Sequence, residues 1–153
     1  MMNLDIGDIF PDFTLKDENN KDFIFSENLN DKHLVIYFYP KDETPGCTKQ
    51  ACYFRDSYEQ FLNYDCNVIG ISGDTVESHL NFKKKNNLPF TLLSDHKNHL
   101  RNEIGIPKDF LGLVPGRQTF LLKNTGEIIF IFHSSINMKS HIDEALSTLK
   151  KMS

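Results

Sequence analysis

The stretch HLVIYFYPKDETPGCTKQACYFRD, residues 33–56, decides the fold. Its first seven residues, 33–39, are a continuous run of β-branched and aromatic side chains around Leu34. Such a run suits a strand buried on both faces. Pro40 lacks an N–H and has a fixed φ, so it stops the strand. The loop KDETPG, residues 41–46, comes next. After it Ala51, Phe54, Tyr58, Phe61 and Leu62 recur at helical spacing, which predicts a helix over about residues 47–64.

The same alternation continues outward. VIGIS, residues 68–72, reads as a second buried strand, and residues 76–86 as a helix ended by Leu88-Pro89. Residues 90–93 form a short strand and residues 97–104 a helix. Residues 118–122 and 128–132 are strands joined by KNTGE, good hairpin chemistry. Ile142, Ala145, Leu146 and Leu149 mark a final amphipathic helix over residues 136–151. Upstream, residues 13–15 and 23–25 flank a polar stretch and read as a small hairpin. The order alternates first and ends in an antiparallel pair. It predicts an α/β protein with a thioredoxin-like fold, a mixed central β-sheet flanked by helices, and an N-terminal β-hairpin addition. No linker or repeat divides the chain, so residues 1–153 are expected to form one domain.

Composition narrows the function. At 153 residues the chain can build a sizeable core without disulfides or metal. A net charge of −4 argues against a dedicated nucleic-acid binder. The longest apolar run, residues 34–39, falls far short of a membrane span of about 20 residues. Asp5 and Asp8 precede the first basic residue, Lys16, so neither a signal peptide nor a transit peptide is legible. The expected compartment is the cytoplasm. Three cysteines are too few for a secreted disulfide scaffold.

Cys47 follows a Pro-Gly turn and opens the predicted helix. Free N–H groups and a partial positive charge at that end favour a thiolate, which reads as a nucleophile; a merely buried helix-start cysteine is the alternative. Cys52 is five residues on, with no second pair to complete a zinc site, and no metal is expected. The chain has no Cys-x-x-Cys, and seven residues separate Cys47 from Arg55, which excludes the phosphatase loop. Arg117 is one of three arginines among seventeen basic residues, so a planar, permanently charged fork is wanted there. Arg55 reads either as a helix-surface residue or as a partner of Asp56. Cys66, just before a buried strand, reads as structural. His96 and His99 are spaced to share a helix face but lack further ligands.

The segment YPKDETPGCTKQACYFRD, residues 39–56, resembles the active-site loop and helix of the peroxiredoxins. A second cysteine five residues after the first is similar to the PrxQ, or bacterioferritin comigratory protein, branch. FTLKDENNKDF, VIGISGD and GRQTFLLKNTGEI resemble family segments in the right order, over nearly the whole chain. The resemblance implies a thiol-dependent peroxidase that acts on hydrogen peroxide and organic hydroperoxides without a cofactor. It implies that Cys47 is the peroxidatic nucleophile and that Cys52 resolves its sulfenic acid as an intramolecular disulfide. It implies that Pro40 shields the sulfur, that Thr44 and the N–H groups near Gly46 and Cys47 steady the reacting oxygens, and that Arg117 favours the thiolate and contacts peroxide. Thioredoxin or glutaredoxin is the implied reductant, and a monomer the implied state. Gln50 departs from the family, which commonly has Glu there. Two rivals remain at this level, a disulfide reductase and a redox-sensing interaction module. The missing Cys-x-x-Cys weighs against the first, and Thr44 and Arg117 against the second.

Overall fold

A computed structural model of the chain describes residues 2–152. Seven strands, β1 (Thr14–Asp17), β2 (Asp22–Ile24), β3 (His33–Phe38), β4 (Cys66–Ser72), β5 (Thr91–Ser94), β6 (Gln118–Leu122) and β7 (Ile128–His133), form one mixed sheet. Four helices, α1 (Pro45–Asn63), α2 (Val76–Asn86), α3 (His99–Glu103) and α4 (Met138–Met152), flank it. The spatial order is β2-β1-β5-β4-β3-β6-β7. The β3, β4 and β5 strands run parallel, while β6 lies antiparallel to β3 and β7 to β6. This is the thioredoxin-like mixed sheet that the element order predicts.

The apolar run of β3 is explained by its central place. Val35, Tyr37 and Tyr39 face a core shared with Phe54 and Phe61 of α1, Phe82 of α2 and Ile142 and Leu149 of α4. Leu34, Ile36 and Phe38 face a second core with Phe10, Phe25, Leu100 and Phe120. With both faces covered, every position from Leu34 to Phe38 is buried. The α2 helix keeps its predicted bounds because both ends are capped. The Thr75 hydroxyl accepts from the Ser78 N–H at 3.1 Å, and Asn87 closes the C-terminus in the left-handed region.

Several boundaries differ from the sequence reading. The expected N-terminal hairpin is present as β1 and β2, and it joins the main sheet through antiparallel pairing of β1 with β5. Phe25 leaves the hairpin and starts a 3-10 turn, its ring buried in the core. The α1 helix begins at Pro45, two residues earlier than expected, because proline is preorganised for a first helical position. The helix expected over residues 97–104 is broken: Lys97 and Asn98 both have left-handed backbones, so a 3-10 turn precedes a short α3. His96 and His99 therefore do not share a helix face.

Candidate active site

Thr44 is the N-cap residue of α1, with Pro45, Gly46 and Cys47 as its first three helical residues. The Gly46 and Cys47 N–H groups thus belong to the orphan donors of the first turn. The Thr44 side chain does not cap the helix; its hydroxyl donates to the Lys41 carbonyl at 2.9 Å and so folds the loop against the helix start. Cys47 is only 1% exposed. Pro40, half-buried, leads from the end of β3 into the same loop.

The cation comes from just ahead of the neighbouring strand, β6. The β3–β6 register sets Phe38 opposite Gln118, which carries Arg117 to the end of β3 where Pro40 begins. Arg117 is buried, and its Nη2 donates to Cys47 Sγ at 3.3 Å. Its Nη1 donates to Gln50 Oε1, one turn further along α1. Gln50 therefore holds the fork in register with the sulfur. Gly46 lies at the same point, where a Cβ would approach Arg117 Nη2 to 3.4 Å and the Met138 methyl to 3.0 Å.

A second buried guanidinium, which the sequence reading passed over, stands behind the first. Arg101 of α3 is 3% exposed and donates to the Tyr39 and Gly116 carbonyls at 2.8 and 2.7 Å. Burial pulls its pKa down to about 10, opposed by the charges of Asp95 and Cys47. The scarcity of arginine that singles out Arg117 is the one sequence signal that could have found it.

Cys52 lies apart from this pocket. It is half-buried, and its Sγ faces Asn86 Oδ1 of α2 at 3.9 Å. Arg55 donates to the Asn86 carbonyl at 2.7 Å and pairs with Asp56 at 3.0 Å, so it combines a surface ion pair with a tie to α2. Cys66, the first residue of β4, is fully buried, and burial pushes its thiol up to about 12. All three cysteines are free thiols.

The loop before α1 has its own anchor. The Asp42 carboxylate accepts from the Tyr39 hydroxyl at 2.6 Å and the Ser78 hydroxyl at 2.8 Å, and lies 2.7 Å from His79 Nδ1. The Asp42 N–H donates to Asp74 at 2.8 Å. Asp42, Asp74 and His79 place potential ligand atoms within 4.8 Å of one another. Their facing atoms are instead engaged in these hydrogen bonds, so the cluster fastens the loop to α2.

A buried thiol at a helix N-terminus, touched by a fixed guanidinium on a thioredoxin-like sheet, defines a cysteine-based oxidoreductase. Known proteins narrow the class. The chain matches the AhpC/TSA family over residues 6–131. A chloroplastic peroxiredoxin Q of Gentiana triflora is 51% identical over 144 residues, covering 94% of this chain and 66% of that protein. One from Populus jackii is 50% identical over 146 residues, covering 95% and 68%. The chain thus spans about two thirds of the length of these relatives. Peroxidoxin BcpB of Mycobacterium tuberculosis superposes with a TM-score of 0.89 at 32% identity, covering 100% of this chain and 99% of that one. A PrxQ mutant of Xylella fastidiosa does so with a TM-score of 0.87 at 30% identity, covering 99% and 98%. The chain belongs to the AhpC/TSA family as a peroxiredoxin of the Q type, a thiol-dependent peroxidase.

The relatives correct one expectation. They are chloroplastic proteins, which points to a plastid rather than the cytoplasm. Targeting segments are removed from mature proteins, so the residues that build a folded domain carry no record of its compartment.

Proposed function

We propose that the chain works as one domain that reduces hydrogen peroxide and organic hydroperoxides through Cys47. The carrying observation is the 3.3 Å contact between Arg117 and the buried Cys47 sulfur at the start of α1. The thiolate attacks one peroxide oxygen in line, the O–O bond breaks, and the other oxygen leaves as water or alcohol after taking a proton. Cys47 becomes a sulfenic acid. Arg117 and the N–H groups of Gly46 and Cys47 face the path along which charge moves, where fixed donors lower the barrier. Thr44 holds the loop and can turn its hydroxyl from Lys41 to a peroxide oxygen. Pro40 closes the pocket against water.

The Cys52 thiolate then attacks the sulfenic sulfur, a disulfide forms, and water leaves. An external dithiol of the thioredoxin or glutaredoxin kind restores both thiols by exchange and is itself oxidised. Both cysteines lie on one helix, so the cycle closes within one chain, and we assign a monomer. Peroxide-dependent oxidation of NADPH through thioredoxin and its reductase tests this reading. Cys47→Ser is expected to abolish turnover. Retention of more than a few per cent would refute it.

A further inference from the structure

We propose that Arg101 is a positioning residue for peroxide reduction, a staple that fixes the distance between the Cys47 loop and Arg117. The inference rests on the proposed peroxidase chemistry and concerns a group that need not touch the substrate. Arg101 divides its guanidinium between two backbone carbonyls. Nη2 donates to Tyr39, the residue before Pro40; Nη1 donates to Gly116, the residue before Arg117. Each carbonyl thus stands one residue ahead of a site residue, on two segments far apart in sequence. One rigid fork spans both, which a single-point donor cannot do.

The staple is itself held on two sides, and one of the carbonyls it grips is held too. The Asp95 carboxylate, 1% exposed, accepts the Leu100 N–H at 2.8 Å and the Arg101 N–H at 3.0 Å, which fixes the start of α3. The guanidinium carbon lies 5.7 Å from the centre of the Phe38 ring, at the end of β3. Gly116 is seated so closely that a Cβ there would come within 1.8 Å of the Pro107 carbonyl oxygen. The carbonyl that Arg101 grips therefore belongs to a backbone with little room to drift. The Arg117 side chain has Cys47 and Gln50, both on α1, as its hydrogen-bond partners, and its carbonyl accepts from the Ser134 N–H at 3.3 Å. Its approach to the sulfur is set by where its backbone is held; Ser134 holds it from the β7 side, and Arg101 holds it from the Tyr39 side through the Gly116 carbonyl.

Three quantities separate this role from a packing role: the bimolecular rate of Cys47 oxidation by peroxide, the rate of Cys47 alkylation by iodoacetamide, and the melting temperature. Alkylation needs the thiolate but not an aligned pair of oxygens. In Arg101→Lys the peroxide rate is expected to fall about 10- to 100-fold, since small misplacements of reacting groups cost that much. Alkylation should stay within about threefold, the same principle applying only to the aligned reaction. Arg101→Ala should lose at least as much, and millimolar guanidinium, but not methylammonium, should restore part of its peroxide rate. A wild-type peroxide rate in folded Arg101→Lys overturns the proposal. So does a parallel loss of both rates, a failure of guanidinium rescue, or unfolding of both variants. Inactive wild-type protein would instead refute the peroxidase reading, which Cys47→Ser probes separately.

Discussion

Arg117 performs two tasks with one side chain, donating to Cys47 Sγ through Nη2 and to Gln50 through Nη1. A lysine would keep the charge but not the fork. Arg117→Lys is therefore expected to slow peroxide reduction by about 100-fold or more, the range for losing one fixed donor being about 100- to 1,000-fold. Stopped-flow measurement of the bimolecular rate checks it, and an unchanged rate in a folded variant would place Arg117 outside the chemistry. The three thiols also separate by environment. Cys66 has no exposed surface and a thiol pushed up to about 12, so it carries almost no thiolate near neutrality. Native protein treated with iodoacetamide should carry label at Cys47 and Cys52 and none at Cys66, as read by peptide mass. Cys66→Ser should leave peroxide turnover nearly unchanged.

At the scale of elements, α1 holds both Cys47 and Cys52, the two cysteines of the proposed cycle, and keeps them apart. Five residues of ideal helix separate them by about 7.5 Å along the axis and about 140° around it, or about 8.6 Å between Cα atoms. A disulfide needs Cα atoms within about 6.8 Å. In the proposed cycle the first turns of α1, over residues 47–55, must therefore unwind before Cys52 can reach a Cys47 sulfenic acid. The structure shows what such opening breaks. Arg55 must release the Asn86 carbonyl, and Phe54 must leave its stack on Tyr37, 4.5 Å between ring centres. Exposing one such ring costs about 1.5–3 kcal/mol, so the disulfide form should be less stable than the dithiol form. Amide exchange across residues 47–55 should be faster in the disulfide form. Equal protection in both forms, with the disulfide confirmed by mass, would rule the unwinding out.

At the scale of the whole molecule, a pH response is expected from His141. Its Nδ1 faces the Thr119 hydroxyl of β6 at 2.8 Å, and its Nε2 lies 2.8 Å from the Ser134 carbonyl, so it ties α4 to the sheet and to the loop after β7. Burial is the largest cause that pulls its pKa down to about 4, with the nearby charges of Arg117 and His133 acting the same way. An unfolded histidine titrates near 6.5, so the unfolded chain takes up this proton first. The stability tied to neutral His141 is complete above about pH 6.5 and is lost as pH falls towards 4. Each pH unit in that window removes at most about 1.4 kcal/mol. The melting temperature of the wild type should fall more steeply between pH 6.5 and 4 than that of His141→Gln. Parallel slopes would remove His141 from the account.

Much of the architecture was legible because periodicity is local. The unbroken apolar run of β3 announced a strand covered on both faces, and the spacing of Ala51, Phe54 and Phe61 announced α1. Pro40, Thr44, Cys47 and Cys52 could be grouped because they share one loop and one helix. Elements whose geometry depends on a few backbone angles were read less well. The left-handed Lys97 and Asn98 split a helix that residue spacing had joined. The pairing of β1 with β5 is a long-range contact, so the sequence showed the hairpin but not the strand it joins. The site is completed only by tertiary structure. Arg117 reaches Cys47 across 70 residues through the antiparallel β3–β6 register. Arg101 acts on two main-chain carbonyls, which every residue carries, so its partners leave no mark in the sequence. Asp42 and His79 meet because α2 packs behind the loop. The sequence by itself determined the helix and the turn that place Cys47, the proposed nucleophile, at a helix start, because those depend on neighbours along the chain. Only the folded sheet decided which cations surround that nucleophile, because their distances depend on strand order.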